Sequence, residues 1–353
     1  MNCSLFLLFF ILTNSLFSQD KIKVLLILES KDSFTSTAES VILGIKEREK
    51  SFTKEEKNFY KMETLLISSN IKENYHLIQK TIEKVKPQLI LGGITSNLSF
   101  LIRDIAEERH IPFITPLATN TMLTEDKRFH YTYRTCFNDE EQSQAIADFI
   151  CAEKKKGNIE HNIAAIYQET SSYSYYLYEE VKNKTKKKCL VHLQGQSLSS
   201  QTLDTKDISL LFLPLYQIDA SRLIEKILLS HPSSRKITFL GSDGWAGGNL
   251  VFETIKKVKF NEENTNFFFI KHWSPLEEAN NELKKSFLKL NEKQQIMSTP
   301  FFAGYTLISF VKNILQEKED SDIIKKIQYT KKEKPKIYFM KLDKERESLY
   351  AKL

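Results

Sequence analysis

Residues 89–124 read LILGGITSNLSFLIRDIAEERHIPFITPLATNTMLT. A short apolar run, Leu89–Leu91, stops at Gly92-Gly93. From Leu98 the apolar positions change period. Leu98, Leu101, Ile102, Ile105 and Ala106 fall at i, i+3, i+4, i+7 and i+8, one face of a helix. A second short run, Pro112–Thr115, follows and breaks at Pro116. Neither run alternates apolar with polar residues, so both read as strands buried on two faces, as in a parallel sheet. Strand, tight turn, helix and strand in this order are the alternation of an α/β fold.

The alternation extends outward in both directions. Val24–Leu28, Ile163–Tyr167, Ile208–Leu213, Ile237–Leu240 and Phe267–Ile270 read as further buried strands. Ile71, Tyr75, Ile78, Ile82 and Val85 form a helical stripe. Asp219–Leu229 and two segments near 277–316, including Pro300–Leu315, give further helices. The pattern runs twice, over about 22–116 and about 161–241, with a connecting stretch that holds Pro112, Pro116 and the charged Glu125–Arg128. The Lys-rich stretch Lys325, Lys326, Lys331, Lys332, Lys334 reads as a solvated linker, and a last strand is expected near Ile337–Met340. A length of 353 residues agrees with roughly two domains at about 100–200 residues each.

Composition narrows the function. Hydrophobic residues make up 41% and charged residues 27%, which excludes a disordered or collagenous chain. The net charge of +6 is spread along the chain, whereas a nucleic-acid binder clusters its basic residues on one face. Met1–Ser18 carries no charge, and Leu5–Leu12 is wholly apolar. That core is too short to span a membrane, which takes about 20 residues. It reads as a signal peptide cleaved after Leu16-Phe17-Ser18, leaving an exported chain with no membrane insertion. Three cysteines then remain, Cys136, Cys151 and Cys189. Three buried small hydrophobes are the simple expectation, and a Cys151–Cys189 bridge is the alternative.

No GxxxxGK[ST], strand-linked GxGxxG or GxSxG occurs, and the seven His residues show no HxxH or HxxxH spacing. Neither catalysis, nor a metal, nor a cofactor is expected, and binding is the remaining class. Three loops could carry it. In Gly92-Gly93-Ile94-Thr95-Ser96, the glycines allow a tight turn and Ser96 reads as the N-cap of the following helix. There a carboxylate would meet a hydroxyl, free N–H groups and the positive helix end, although Ser96 also reads simply as a cap. In Thr115-Pro116-Leu117-Ala118-Thr119-Asn120, Thr119 offers a second hydroxyl and Leu117 an irregular backbone. Strand ends of a parallel sheet lie together, and ligands gather there. In Gly241-Ser242-Asp243-Gly244-Trp245, Asp243 is a carboxylate that, once buried, wants a cation such as a ligand ammonium.

These elements, taken in order, resemble the type 1 periplasmic solute-binding proteins, the branched-chain amino-acid (Leu/Ile/Val) receptors of ABC transporters. GGITS, the helix, IPFITPLATNTMLT, Tyr133–Thr135, Asp139 and Gln142 fall in that family's order, with Ala118, Thr119, Leu123 and Thr124 the best single match. The resemblance implies two doubly wound parallel-sheet α/β lobes joined by a multi-strand hinge. It divides the chain into a signal peptide 1–18, lobe 1 at 19–136 plus 276–320, and lobe 2 at 137–275 plus 321–353. Crossings are expected near 117–137, 243–276 and 318–336. It further implies that Ser96, Leu117 and Thr119 bind a ligand carboxylate and amine, that Tyr173 and Tyr216 cover the ligand, and that Asp243 holds its ammonium. The implied function is capture of a small ligand, an amino acid, by hinge closure in a periplasm-like compartment, and presentation to a membrane permease.

The sequence also departs from the family. Its usual Tyr-Gly-x-Gly is here Tyr173-Ser174-Tyr175-Tyr176, a Gly-rich C-terminal hairpin is missing, and Thr95 stands where some members place a disulfide cysteine. The loop Ser30–Thr37, which helps to select the ligand side chain, lacks the common glycines. The lost glycines suit one rival, a regulatory or scaffold protein of the cell envelope that binds a protein partner, although the intact Ser96, Thr119 and Asp243 set argues against it; a second rival is an envelope hydrolase with an unmarked site.

Overall fold

Val24, Leu26 and Leu28 point to one side of the first strand, Leu25 and Ile27 to the other, and all five are buried. Period-two side-chain alternation with both faces apolar requires a helical layer on each side of the sheet. The computed structural model describes residues 21–30, 34–68, 71–159, 162–200, 207–230, 235–274, 281–291, 298–316, 323–329 and 336–352. The expected signal segment 1–18 and Lys331, Lys332 and Lys334 lie outside them.

The first sheet holds β1 (Ile22–Glu29), β2 (Tyr60–Ile67), β3 (Leu89–Gly92), β4 (Phe113–Thr115) and β5 (Thr132–Arg134), all parallel, in the order β2-β1-β3-β4-β5. One face packs on α1 (Thr35–Glu49) and on α10 (Ser298–Gln316) through Val41, Ile45, Leu307 and Val311. The other packs on α2 (Ile71–Val85) and α3 (Ser96–Glu108) through Ile78, Ile82, Ile102 and Ile105. Between β4 and β5 lies the single turn α4 (Met122–Glu125).

The second sheet holds β6 (Asn162–Tyr167), β7 (Leu193–Ser197), β8 (Ile208–Leu213), β9 (Ile237–Gly241), β10 (Thr265–Lys271), β11 (Tyr338–Leu342) and β12 (Glu347–Lys352). Their order is β12-β11-β10-β9-β8-β6-β7. Only β11 runs antiparallel to its two neighbours. Helices α5 (Asp139–Lys155) and α6 (Ser172–Cys189) cover one face, and α7 (Gln217–Ser230) and α8 (Leu250–Lys257) the other. The molecule is thus two doubly wound α/β lobes. Helix α9 (Asn281–Asn291) sets Leu283 and Phe287 against Trp273 and Phe301 in a small separate cluster.

Several elements differ from the sequence expectation. Part of the Lys-rich stretch is helix α11 (Ile323–Tyr329), and its Ile327 is buried in the first core. The C-terminal strand has a partner, β12, without a glycine turn. Asp343 replaces it, accepting the N–H groups of Glu345 and Arg346 at 2.9 and 2.7 Å. The three cysteines are not three separate buried thiols. Cys151 on α5 and Cys189 on α6 form a disulfide with Cα atoms 5.8 Å apart, because the two helices pack side by side. Cys136 stays free and buried, and burial pushes its thiol pKa up to about 12.

Candidate ligand site

Gly92 and Gly93 turn the chain out of β3 with φ of +121° and +74°. A Cβ on Gly92 would lie 1.9 Å from the Ile27 carbonyl oxygen, so no other residue fits there. The turn aims the start of α3 at the cleft between the sheets. The N-cap is Thr95, not Ser96. Thr95 is extended (φ −92°, ψ 153°) and its hydroxyl accepts the Leu98 N–H at 3.2 Å. Ser96 is the first helical residue, fully buried, and its hydroxyl accepts the Asn120 N–H at 3.4 Å. The Thr95 and Ile94 N–H groups, and the Thr95 hydroxyl, donate to Glu29 at the end of β1. Glu29 is 3% exposed, and burial raises its pKa against those donors. Sequence reasoning missed Glu29, whose partners lie some 65 residues away.

The loop after β4 is held from behind by Arg134 on β5. Its guanidinium donates to the Ala118, Thr119 and Asn120 carbonyls at 3.2, 2.9 and 2.8 Å, and to the Thr124 hydroxyl. This buried fork fixes Thr119, which is 1% exposed and engages the Asp139 carboxyl at the start of α5. The Leu117 side chain is half-buried against the first core, so what it could offer a ligand is its backbone, as expected of it.

From the second lobe, Asp243 follows β9 and takes the Tyr173 hydroxyl at 2.6 Å on one oxygen. His272, at the end of β10, lies 3.0 Å from its other oxygen and stacks on Phe137 with ring centroids 3.7 Å apart. The Gln142 side chain accepts the Asp243 N–H at 2.9 Å. The carboxylate expected to wait for a ligand cation therefore already has partners within the chain. Burial and the neighbouring Asp243 charge push the Asp139 pKa up to about 8, against Thr119, Arg134 and Gln142. One Asp139 oxygen has no hydrogen-bond partner among the described residues. Tyr216, after β8, stacks on Tyr173 at 5.0 Å and meets Phe34 edge-on at 5.5 Å. Burial raises its pKa well above the usual range, and the Ser96 N–H acts on its hydroxyl in the opposite sense.

Ser96, Thr119, Tyr173, Tyr216 and Asp243 thus form one connected network, with Asp139, Arg134 and His272 added. The lobes meet around it. Ser172 donates its N–H and hydroxyl to Asn97, Asn120 donates to the Ser172 carbonyl at 2.9 Å, and Thr37 donates to the Gly247 carbonyl at 2.8 Å. Beside the network a cavity of about 280 Å³ opens between the lobes. Of the six residues expected to bind the ligand only Tyr216 lines it, together with Glu29, Phe34, Asn74, Gln168 and Asp219, among others. No group of three or more His, Cys, Asp or Glu among the described residues could hold a metal ion. No helix among them is long and apolar enough to cross a membrane.

No curated protein matches the chain by sequence. Solved structures match its fold. A leucine-binding protein, LivK, from Thermotoga maritima superposes with a TM-score of 0.78 at 18% identity, over 94% of this chain and 98% of that one. The branched-chain amino acid transporter substrate-binding protein LivJ from Streptococcus pneumoniae, in complex with isoleucine, gives 0.74 at 16%, over 94% and 99%. A solute-binding protein of an ABC transporter from Rhodopseudomonas palustris, in complex with 3,4-dihydroxybenzoic acid, gives 0.69 at 17%, over 95% and 98%. The family described as "Receptor family ligand binding region" matches residues 13–336. With that match running through both lobes, the chain belongs to this family, and its fold is that of the type 1 periplasmic binding proteins.

Proposed function

We propose that the protein is an exported, non-catalytic solute-binding protein that captures a free amino acid between its lobes and presents it to an ABC-type permease. One observation carries this reading. In the first sheet the strand order reverses at β1/β3, and in the second at β6/β8. Ligands of open α/β sheets bind beyond the carboxyl ends of the strands at such points. Here the two points face each other across the cavity, with Glu29 and Thr95 on one side and Gln168, Thr170 and Tyr216 on the other.

The lobes we propose are 19–136 with 276–320 and 137–275 with 321–353, with α11 packed back on the first. The carboxylate docks on Ser96 and Thr119 at the α3 N-terminus. Asp243 keeps two of its four acceptor sites for the ammonium, and Tyr173 and Tyr216 close over the ligand. Isothermal titration of the mature chain against the twenty amino acids and 3,4-dihydroxybenzoate tests the reading; absence of amino-acid binding overturns it. N-terminal sequencing of native envelope protein should begin at or near Gln19, and a cytosolic chain starting at Met1 sinks the export part.

One observation favours a second reading, an envelope scaffold that binds a protein partner. Asp243, Tyr173 and Ser96 are hydrogen-bonded to one another or to neighbouring residues of the chain. Under that reading the titrations are silent, and substitutions in the cleft leave partner binding intact.

A further inference from the structure

The cavity has a charge character that the carboxylate and ammonium sites do not explain. Glu29 enters it from the first lobe and Asp219, on the first turn of α7, from the second. Among the described residues that line it there is no Lys, Arg or His. Glu29 is nearly inaccessible to solvent, and its two oxygens take three donors, the N–H groups of Ile94 and Thr95 and the Thr95 hydroxyl. Its own backbone N–H acts on it as well, and every one of these partners is a neutral donor, so none balances its charge. Asp219 is half-buried, while Arg222, one turn on, is solvent-exposed. Phe34 and Tyr216 supply an aromatic wall, a surface that attracts cations. An aliphatic ligand side chain here would leave the buried Glu29 without a counter-charge and Asp219 with only the exposed Arg222 acting on it, which is costly.

We propose that the cavity receives the positively charged end of a basic amino acid such as L-lysine or L-arginine, with Glu29 and Asp219 as its counter-charges. This rests on the amino-acid reading above and narrows it. The ammonium or guanidinium would supply the charge that the neutral donors around Glu29 lack and pair with Asp219 across the lobe junction, so that the side chain itself helps closure. The neutral amides of Asn74 and Gln168 and the aliphatic Leu98 and Ile218 also line the cavity, the latter against the methylene stem of such a side chain.

The test titrates the mature chain with L-lysine, L-arginine, L-leucine, L-isoleucine and 1,5-diaminopentane. Lysine or arginine should bind at least about tenfold more tightly than leucine, the lower end for one hydrogen bond to a charged group. Asp219→Asn should weaken lysine by about the same factor while leucine binding holds or tightens, and Glu29→Gln should act in the same direction. Leucine or isoleucine binding as tightly as lysine overturns the inference while sparing the amino-acid reading. So does an Asp219→Asn variant with unaltered lysine affinity. Binding of the diamine but of none of the four amino acids keeps the cationic pocket and overturns its assignment to a basic amino acid, silence from all five overturns the inference, and the amino-acid reading falls only if the other amino acids are silent as well.

Discussion

Replacing Asp243 by Asn removes one charge and keeps the shape. The Asn oxygen can still accept the Tyr173 hydroxyl, now at 2.6 Å, and the backbone N–H still donates to Gln142. With the side chain only 9% exposed, water cannot replace the lost charge opposite a ligand ammonium. Breaking one half of a buried ion pair costs about 3–5 kcal/mol, so affinity should fall by roughly two to four orders of magnitude. The unliganded protein should respond oppositely, through Asp139. Its pKa of about 8, raised by burial and by Asp243, lies above the unfolded value of about 4. The folded state therefore holds the proton more tightly, and stability is lost as pH rises from about 4 to about 8. Without the Asp243 charge this loss shrinks, so the variant should match the parent near pH 4 and exceed it near pH 8. Titration with the tightest amino acid reads the first effect, and thermal unfolding across that pH range the second. Unchanged affinity would refute the ammonium role, and a stability difference independent of pH would refute the Asp139 coupling.

The other predictions concern the frame around the site. Replacing Cys151 and Cys189 by Ser should cost roughly 4 kcal/mol from the entropy of their 38-residue separation, and an unchanged urea midpoint would argue against the bridge. Thr95→Val should cost about 0.5–2 kcal/mol of stability as a lost helix cap. Ser96→Ala should instead lose about 1.5–3 kcal/mol of amino-acid binding, so equal stability losses for the two variants would contradict the cap assignment. Arg134→Met should destabilise by about 2–4 kcal/mol, because the Ala118–Asn120 carbonyls lose their shared donor. Calorimetry should show ligand affinity falling with it, and a stable variant with normal binding would show that the loop holds itself.

The central strands of both sheets were legible because nothing polar interrupts them: Val24–Leu28 and Leu210–Leu213 are buried on both faces. The edge strands were not. In β2 exposed and half-buried residues run through the middle, and β7 reads LQGQS, so neither carries a continuous apolar run. Helix α6 hides its core contacts, Leu177 and Val181, among tyrosines and lysines. At the site, the three loops announced themselves by glycine, proline and hydroxyl content, but not their partners. Thr95 and Ser96 can both cap, and only backbone angles decide between them. His272 reaches Asp243 from a neighbouring strand, and Glu29 reaches residues 94 and 95 across β1 and β3, pairings that exist only once the sheets have formed.

The bonds that join Asn97, Asn120 and Ser172 across the junction are made by the chain with itself. Contacts of this kind favour the shut form by the same amount whether or not a solute lies in the cleft. For the proposed function, discrimination between loaded and empty protein would then rest on time rather than on shape. The empty form has to reopen before productive docking, and the solute has to prolong closure by the contacts it adds. A ligand moves this balance only as far as it prefers the shut form to the open one. Each asparagine contact that steadies the empty, closed molecule therefore narrows the margin by which a permease can tell cargo from none. Weakening that junction should sharpen selectivity for the loaded state while slowing capture little.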